Sequence, residues 1–255
     1  MNASNNTCLS NDFTTRNLVN VETTNTVYNY VDFIIPCVTV PLLDILLCSM
    51  ISSKARWFQL HAVTNLLIVF IIWSDVKKYY IHLFDAIKDK DSDLDNYFII
   101  VLHMYHCIFF KNLTFLDYFH HLLFVITGVL PSMIIIKSNI IRLLTFTGCG
   151  LPGVIEYGTL VLMKHDYLTQ LQQKNINSYM YVYFRNPLAI FNVSFMYISY
   201  NIGCLVDENF YIIFYVMVLT YFNGTFYNKL AVENYRNTYY KKYLNYRQDN
   251  YLKII

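Results

Sequence analysis

"DYFHHLLFVITGVLPSMIII", residues 117–136, is the stretch on which the fold turns. Residues 122–136 contain no charged side chain, and with the aromatic residues before them they approach the roughly 20 residues that a helix needs to cross a bilayer. At the head of the run stand Asp117, His120 and His121, and the spacing i, i+3, i+4 puts all three on one helix face. An ionisable group near the bilayer centre costs about 2.5–3.5 kcal/mol on insertion scales, so such a face belongs against other helices and not against lipid.

Comparable apolar runs occupy residues 31–51, 57–74, 97–110, 140–163, 179–205 and 209–227. The chain has 255 residues, 56% of them hydrophobic and 14% charged, far more apolar material than one water-soluble core needs. The expectation is an all-α protein, a polytopic transmembrane helical bundle of six or seven helices. It divides into a polar N-terminal segment (1–30), a transmembrane domain (31–227) and a basic, tyrosine-rich tail (228–255). Residues 1–30 carry neither a basic cluster nor an apolar core run, so insertion is expected to begin with the first span.

The shortest run, "YFIIVLHMYHCIFF" (97–110), separates six crossings from seven. At 1.5 Å per residue it reaches only about 21 Å of a core roughly 30 Å thick. Seven crossings with the N-terminus outside place eleven Lys and Arg on the inner side against seven outside; six crossings place fourteen against four. Both arrangements put the tail in the cytoplasm. They differ on the side of Asn2 and Asn5, whose "NAS" and "NNT" sequons report it.

The loop 75–96, "DVKKYYIHLFDAIKDKDSDLDN", reads as a solvated connection. In the tail, Tyr235, Tyr239, Tyr243 and Tyr246 recur at helical spacing, with Arg236, Lys241, Lys242 and Arg247 largely on other faces. That pattern suits a helix on the anionic cytoplasmic leaflet. Asn, Ile, Tyr, Phe and Lys are abundant while Ala, Gly, Pro and Arg are few. AT-rich codons produce this bias, so the tyrosine count carries little functional weight. The six cysteines, Cys8, Cys37, Cys48, Cys107, Cys149 and Cys204, form no Cys-x-x-Cys pair and read as small hydrophobes.

Polar groups within the spans form the functional map. Asp44 lies in the first span, His61 and Asn65 share a face of the second, and His103 and His106 share a face of the third. Glu156 follows "GCGLPG", an irregular stretch of the kind tolerated at membrane depth where it lines a cavity, and Arg185 and Asn192 lie in the sixth. The expected cavity is lined by His61, His103, His106, Glu156, Asp44 and Arg185. His120, His121 and Asp117 are the candidate catalytic residues. A carboxylate one turn from a histidine can accept its N–H, fix its tautomer and leave the other ring nitrogen as a general base.

"HMYH" followed by His120-His121 is similar to the histidine boxes of membrane desaturases and hydroxylases. Those boxes use about eight histidines for iron, whereas this chain has seven, with His82 and His165 in polar loops. No metal and no cofactor is expected. No Walker motif, nucleophile elbow, dinucleotide fingerprint or nucleic-acid-binding pattern occurs.

Two stretches carry a family likeness. "KARWFQLHAVTN" (54–65) and the later "DYFHH" (117–121) resemble the TLC-domain family, which includes ceramide synthases, over residues 30–230 or so. The resemblance implies that His61, His120 and His121 face a central lipid-accommodating cavity. Ceramide synthases follow the histidine pair with two aspartates, whereas here the next aspartate is Asp166, a departure that fits a relative of unknown activity better than a synthase. "FLDYFHH" is also similar to the His-x-x-His-His box of fatty acid elongases, with Asp117 in place of the first histidine.

The expected partners are membrane lipids and an acyl-CoA donor, with acyl transfer or acyl-chain binding as the activity. A non-enzymatic lipid-binding, trafficking or structural role is the alternative. Lys253 stands third from the C-terminus without the usual adjoining lysine; endoplasmic reticulum or another endomembrane is the expected address.

Overall fold

The computed structural model describes residues 30–84, 87, 92–111, 113–205 and 208–252, with the side chains of 245 and 247–252 excepted. Asn2, Asn5, Cys8 and Lys253 lie outside these residues. Among the described residues there is no β-strand, and seven helices succeed one another. They are α1 (Tyr30–Met50), α2 (Ser53–Ile81), α3 (Leu94–Phe109), α4 (Phe115–Ile135), α5 (Ile140–Lys164), α6 (170–201) and α7 (Phe210–Leu252).

Five of the seven are long and apolar enough to cross a membrane: α1, α2, α4, α5 and α7. Helix α3 is too short, and the first half of α6 is polar. The bundle turns large apolar side chains outward, with Phe70 68%, Ile45 64% and Leu122 61% exposed. A water-soluble protein does not leave such a coat bare. Lipid is the solvent that this surface fits, and the chain is a membrane protein.

Helix α1 shows how little of such a helix needs protein contact. Its buried residues are Asp32, Pro36, Val40 and Asp44, a single stripe at intervals of four, and it lies against α2 and α3. The short α3 runs beside it from end to end. At one end the Ser92 hydroxyl donates to Asp32 at 2.7 Å, and at the other the Tyr105 hydroxyl donates to Asp44 at 2.7 Å. Arg56, at the start of α2, forks onto the Asp44 carboxylate and stacks 4.8 Å from the Phe110 ring. Helix α3 therefore starts on the side where α1 starts and ends where α1 ends, which makes seven alternating passes.

The connections agree. Lys54 bonds Asp166 at 2.9 Å, tying the α1–α2 turn to the α5–α6 turn on one side, and this neighbour holds the Asp166 carboxyl below its ordinary range. On the other side, the backbone N–H groups of Lys137 and Ser138 both donate to Glu208, tying the α4–α5 turn to the α6–α7 turn.

Local chemistry sets the helix starts. Thr114 opens α4 and Thr169 opens α6, each through a capping box with Asp117 and Gln172 respectively. Close approach of α2 and α5 depends on Gly153, where a Cβ would fall 2.3 Å from Asn65 Nδ2.

Three helices widen locally from α- to π-helical bonding: α4 at His121–Val129, α5 at Phe146–Gly150 and α6 at Tyr181–Arg185. Each wide stretch ends two residues before a proline, Pro131, Pro152 or Pro187. Proline has no N–H to donate, and its ring crowds the carbonyl four residues back, so the preceding turn relaxes outward.

Two expectations are corrected here. The loop 75–96 is not simply a solvated connection: α2 continues through Ile81, and Asp75 and Asp95 are buried. Arg142 at the start of α5 explains why. Its Nη1 donates to Asp75, its Nη2 donates to the Ser92 carbonyl at 2.8 Å, and its Nε lies 3.8 Å from Asp95. The expected boundary at residue 228 also falls inside α7, which continues unbroken for 43 residues, about 64 Å at 1.5 Å per residue.

The Arg142 network makes a test of the fold. Arg142→Met leaves two buried carboxylates facing each other and is expected to cost about 3–5 kcal/mol, read as loss of monodisperse protein in detergent. Combining it with Asp75→Leu and Asp95→Leu should restore most of that loss. Equal behaviour of the single and triple variants would contradict the ion-pair account.

Candidate functional site

Five histidines from three helices meet inside the bundle, toward the side where α3 ends and α4 begins. His61 comes from α2, His103 and His106 from α3, and His120 and His121 from α4. Ring centroids lie 5.3 Å apart for His61–His106, 4.9 Å for His106–His121, 5.0 Å for His103–His121 and 5.6 Å for His103–His120. Helical spacing within each element and the packing of α2 on α3 and of α3 on α4 produce this convergence.

The rings are held differently. His61 Nδ1 is 3.1 Å from the Trp57 carbonyl and His103 Nδ1 is 2.7 Å from the Ile99 carbonyl, each four residues earlier. A carbonyl only accepts, so both rings carry their proton on Nδ1 and keep a lone pair on Nε2. His120 Nδ1 lies 2.9 Å from the Tyr227 hydroxyl of α7. His121 Nδ1 is 3.8 Å from Cys107 Sγ. His106 is 1% exposed, packs edge-on against Trp57, and has no hydrogen-bond partner at either nitrogen among the described residues.

Beside the cluster, α3–α7 line a partly open cavity of about 140 Å³. All three wide turns contribute to its wall: Phe124, Val125, Gly128 and Val129 from α4, Thr147, Gly148 and Cys149 from α5, and Arg185 from α6. His103, His120 and Asn223 join Arg185 on the wall, while Leu144, Val216 and Leu219 make it largely apolar. π-Bulges inside α-helices recur at functional sites, because the extra residue re-aims side chains and frees backbone carbonyls. Here the freed Gly148 carbonyl accepts from Arg185 Nη2 at 2.7 Å.

The chain matches no protein-family model, no curated protein and no solved structure. Its chemistry therefore rests on this geometry.

The expected site residues fall into four groups. His103, His120 and Arg185 line the cavity, and His61, His106 and His121 form the cluster next to it. Glu156 accepts from the Tyr181 hydroxyl at 2.5 Å instead of lining that cavity. Asp44 is 2% exposed and belongs to the ion pair with Arg56 near the end of α1. Among the described residues, no group of three His, Cys, Asp or Glu side chains is placed to hold a metal ion.

Asp117 requires a correction. Its Oδ2 accepts from both the backbone N–H and the hydroxyl of Thr114, each at 2.7 Å, so the carboxylate closes the first turn of α4 instead of orienting a histidine. The competing local bond wins because Thr114 at the N-cap is three residues away, within reach without any rotamer cost to the helix. The residue that does hold His120 is Tyr227, the last residue of the apolar run 209–227, which nothing in the sequence singles out. Its signal, a tyrosine in the last span opposite a histidine, exists only in three dimensions.

If Asp117 is a cap, Asp117→Ala and Thr114→Ala should each lower thermal stability by about 0.5–2 kcal/mol and leave any histidine-dependent effect on membrane lipids intact. Loss of that effect in Asp117→Ala at normal stability would return Asp117 to the site.

Proposed function

We propose that this protein is a multi-pass lipid-handling protein of TLC-like type, in which the central cavity takes an acyl chain and His120 acts on its reactive end. The observation that carries the reading is the juxtaposition of a largely apolar cavity with an imidazole cluster at its wall. The likeness of residues 54–65 and 117–121 to the TLC pattern supports it, since His61, His120 and His121 belong to one cluster.

The chemistry follows from the hydrogen bonds. With His120 Nδ1–H donating to Tyr227, the His120 Nε2 lone pair can deprotonate an amine or hydroxyl as it attacks the acyl thioester; the C–S bond breaks as the amide or ester bond forms, and the coenzyme leaves as a thiol that takes the proton back from His120. Tyr227 supplies the orientation first expected of Asp117. The neighbouring Nε2 lone pairs of His61 and His103 can relay the proton away from His120. An acyl-CoA donor would lay its chain along the apolar wall of this cavity. An endomembrane, with the basic turns and α7 extension toward the cytoplasm and its anionic leaflet, is the setting for this reading.

One observation favours a second reading. Among the described residues no carboxylate hydrogen-bonds any of the five rings, which is an arrangement equally suited to binding or moving a lipid without reaction.

An untargeted lipid profile separates the two. Cells expressing the wild type should show a changed lipid class that is lost with His120→Ala/His121→Ala at equal membrane abundance. Profiles that match the empty control in both cases would overturn the catalytic reading. A class that changes equally with wild type and variant would assign the protein to histidine-independent lipid handling.

A further inference from the structure

Arg185 is the buried cation that neither the histidine chemistry nor the ion-pair networks use. It is 6% exposed, sits in the wide turn of α6 and lines the cavity. The other two arginines bonded within the bundle, Arg56 and Arg142, each contact a carboxylate. Arg185 has none within 4.0 Å among the described residues; the Glu156 carboxylate is turned to the Tyr181 hydroxyl instead.

Its surroundings hold it by neutral groups alone. Nη2 donates to the Gly148 carbonyl at 2.7 Å and to Asn223 Oδ1 at 2.6 Å. The guanidinium lies 4.8 Å from the Tyr181 ring and 5.3 Å from the Tyr227 ring. A guanidinium carries five N–H bonds. The two on Nη2 are taken, while Nε is buried without a partner and Nη1 has no acceptor among the described residues. A charged group so placed, in a medium where unpaired charge is costly, is a site waiting for an oxyanion.

The shape of the cavity says what carries that oxyanion. Arg185, His120 and Asn223 meet at one end, with Asn96 and Ser132 also on the wall, and Arg185 is the one formally charged side chain on it. From His120 the wall follows α4 to Ser132, a rise of about 18 Å at 1.5 Å per residue, past Val129, Leu144 and Val216. One cation at one end of a long apolar slot matches a singly charged head on an unbranched chain.

We infer that the cavity binds a long-chain fatty carboxylate, with its carboxylate on Arg185 beside His120 and its chain along Val129, Leu144 and Val216. The inference rests on the reading of the cavity as a lipid site and names the ligand class. Arg185 is thus a binding residue, and the tyrosine pair and Asn223 position it. A charge-assisted bond in a low-dielectric site discriminates against an uncharged head of equal chain length.

The test compares hexadecanoate with hexadecanol, identical in chain and different in charge, on the purified full chain in phosphatidylcholine nanodiscs, at a pH where the acid is ionised. The wild type is expected to hold hexadecanoate about ten- to a hundred-fold more tightly. Arg185→Gln should erase that preference, and Arg185→Lys should keep part of it. Equal binding of the two by the wild type, or a preference that survives in Arg185→Gln, would overturn the inference and leave the lipid cavity standing. Binding of neither would overturn both. The wild-type comparison needs no variant, so misfolding of Arg185→Gln leaves it decisive.

Discussion

A proline inside a membrane helix cannot close the ladder behind it, and three such prolines shape the centre of this protein. Pro131, Pro152 and Pro187 each follow a π-helical stretch, and the three stretches border one cavity. A regular α-helix at any of these places would point a different set of side chains inward, since one added residue shifts the helical phase by about 100°. The widened turn of α5 also frees the Gly148 carbonyl that fixes Arg185. Cavity, cation and histidine cluster thus depend on the same backbone device, whose freed polar groups find protein partners because lipid offers none.

The bundle sorts its charges by level. Near the end of α1, Asp44 is held by Arg56 and Tyr105; near the opposite side, Asp75 and Asp95 meet Arg142. Breaking either set strands a charge in a poor solvent, so these sets fix the order and register of α1, α2, α3 and α5. Between them lie the five imidazoles and Arg185, which are held by carbonyls, hydroxyls, an amide and aromatic rings. Fully paired ends and an open-valenced middle are what a protein needs if the middle is to recognise something else.

Much of this was legible in the chain. Seven apolar runs became seven helices because hydrophobic length is a one-dimensional property. The histidine cluster followed from spacings of three and four within α3 and α4, together with His61 early in α2. The rest depended on contacts between distant segments. Arg142 and the aspartates of the 75–96 stretch look like ordinary polar flanks until the fold brings them together, and Tyr227 looks like one of many tyrosines. Asp117 misled for a local reason: a carboxylate at i, i+3, i+4 to histidines is also a carboxylate at N3 of a threonine cap, and the nearer bond prevails. The prolines were visible throughout, but α1 stays regular past Pro36 and Pro41, so which prolines open a turn is settled only by the packed structure.

The central claim is that the space bordered by the three wide turns is an interior lipid site. Photo-crosslinking with a diazirine-bearing fatty acyl probe in nanodiscs, followed by peptide mapping, tests it directly. The account predicts adducts on wall residues of α4, α5 and α7, such as Val129, Leu144 and Val216, that disappear when unlabelled ligand competes. Adducts confined to outward residues such as Phe70 and Leu122, unmoved by competitor, would show that lipid meets only the outside of the bundle and would contradict it.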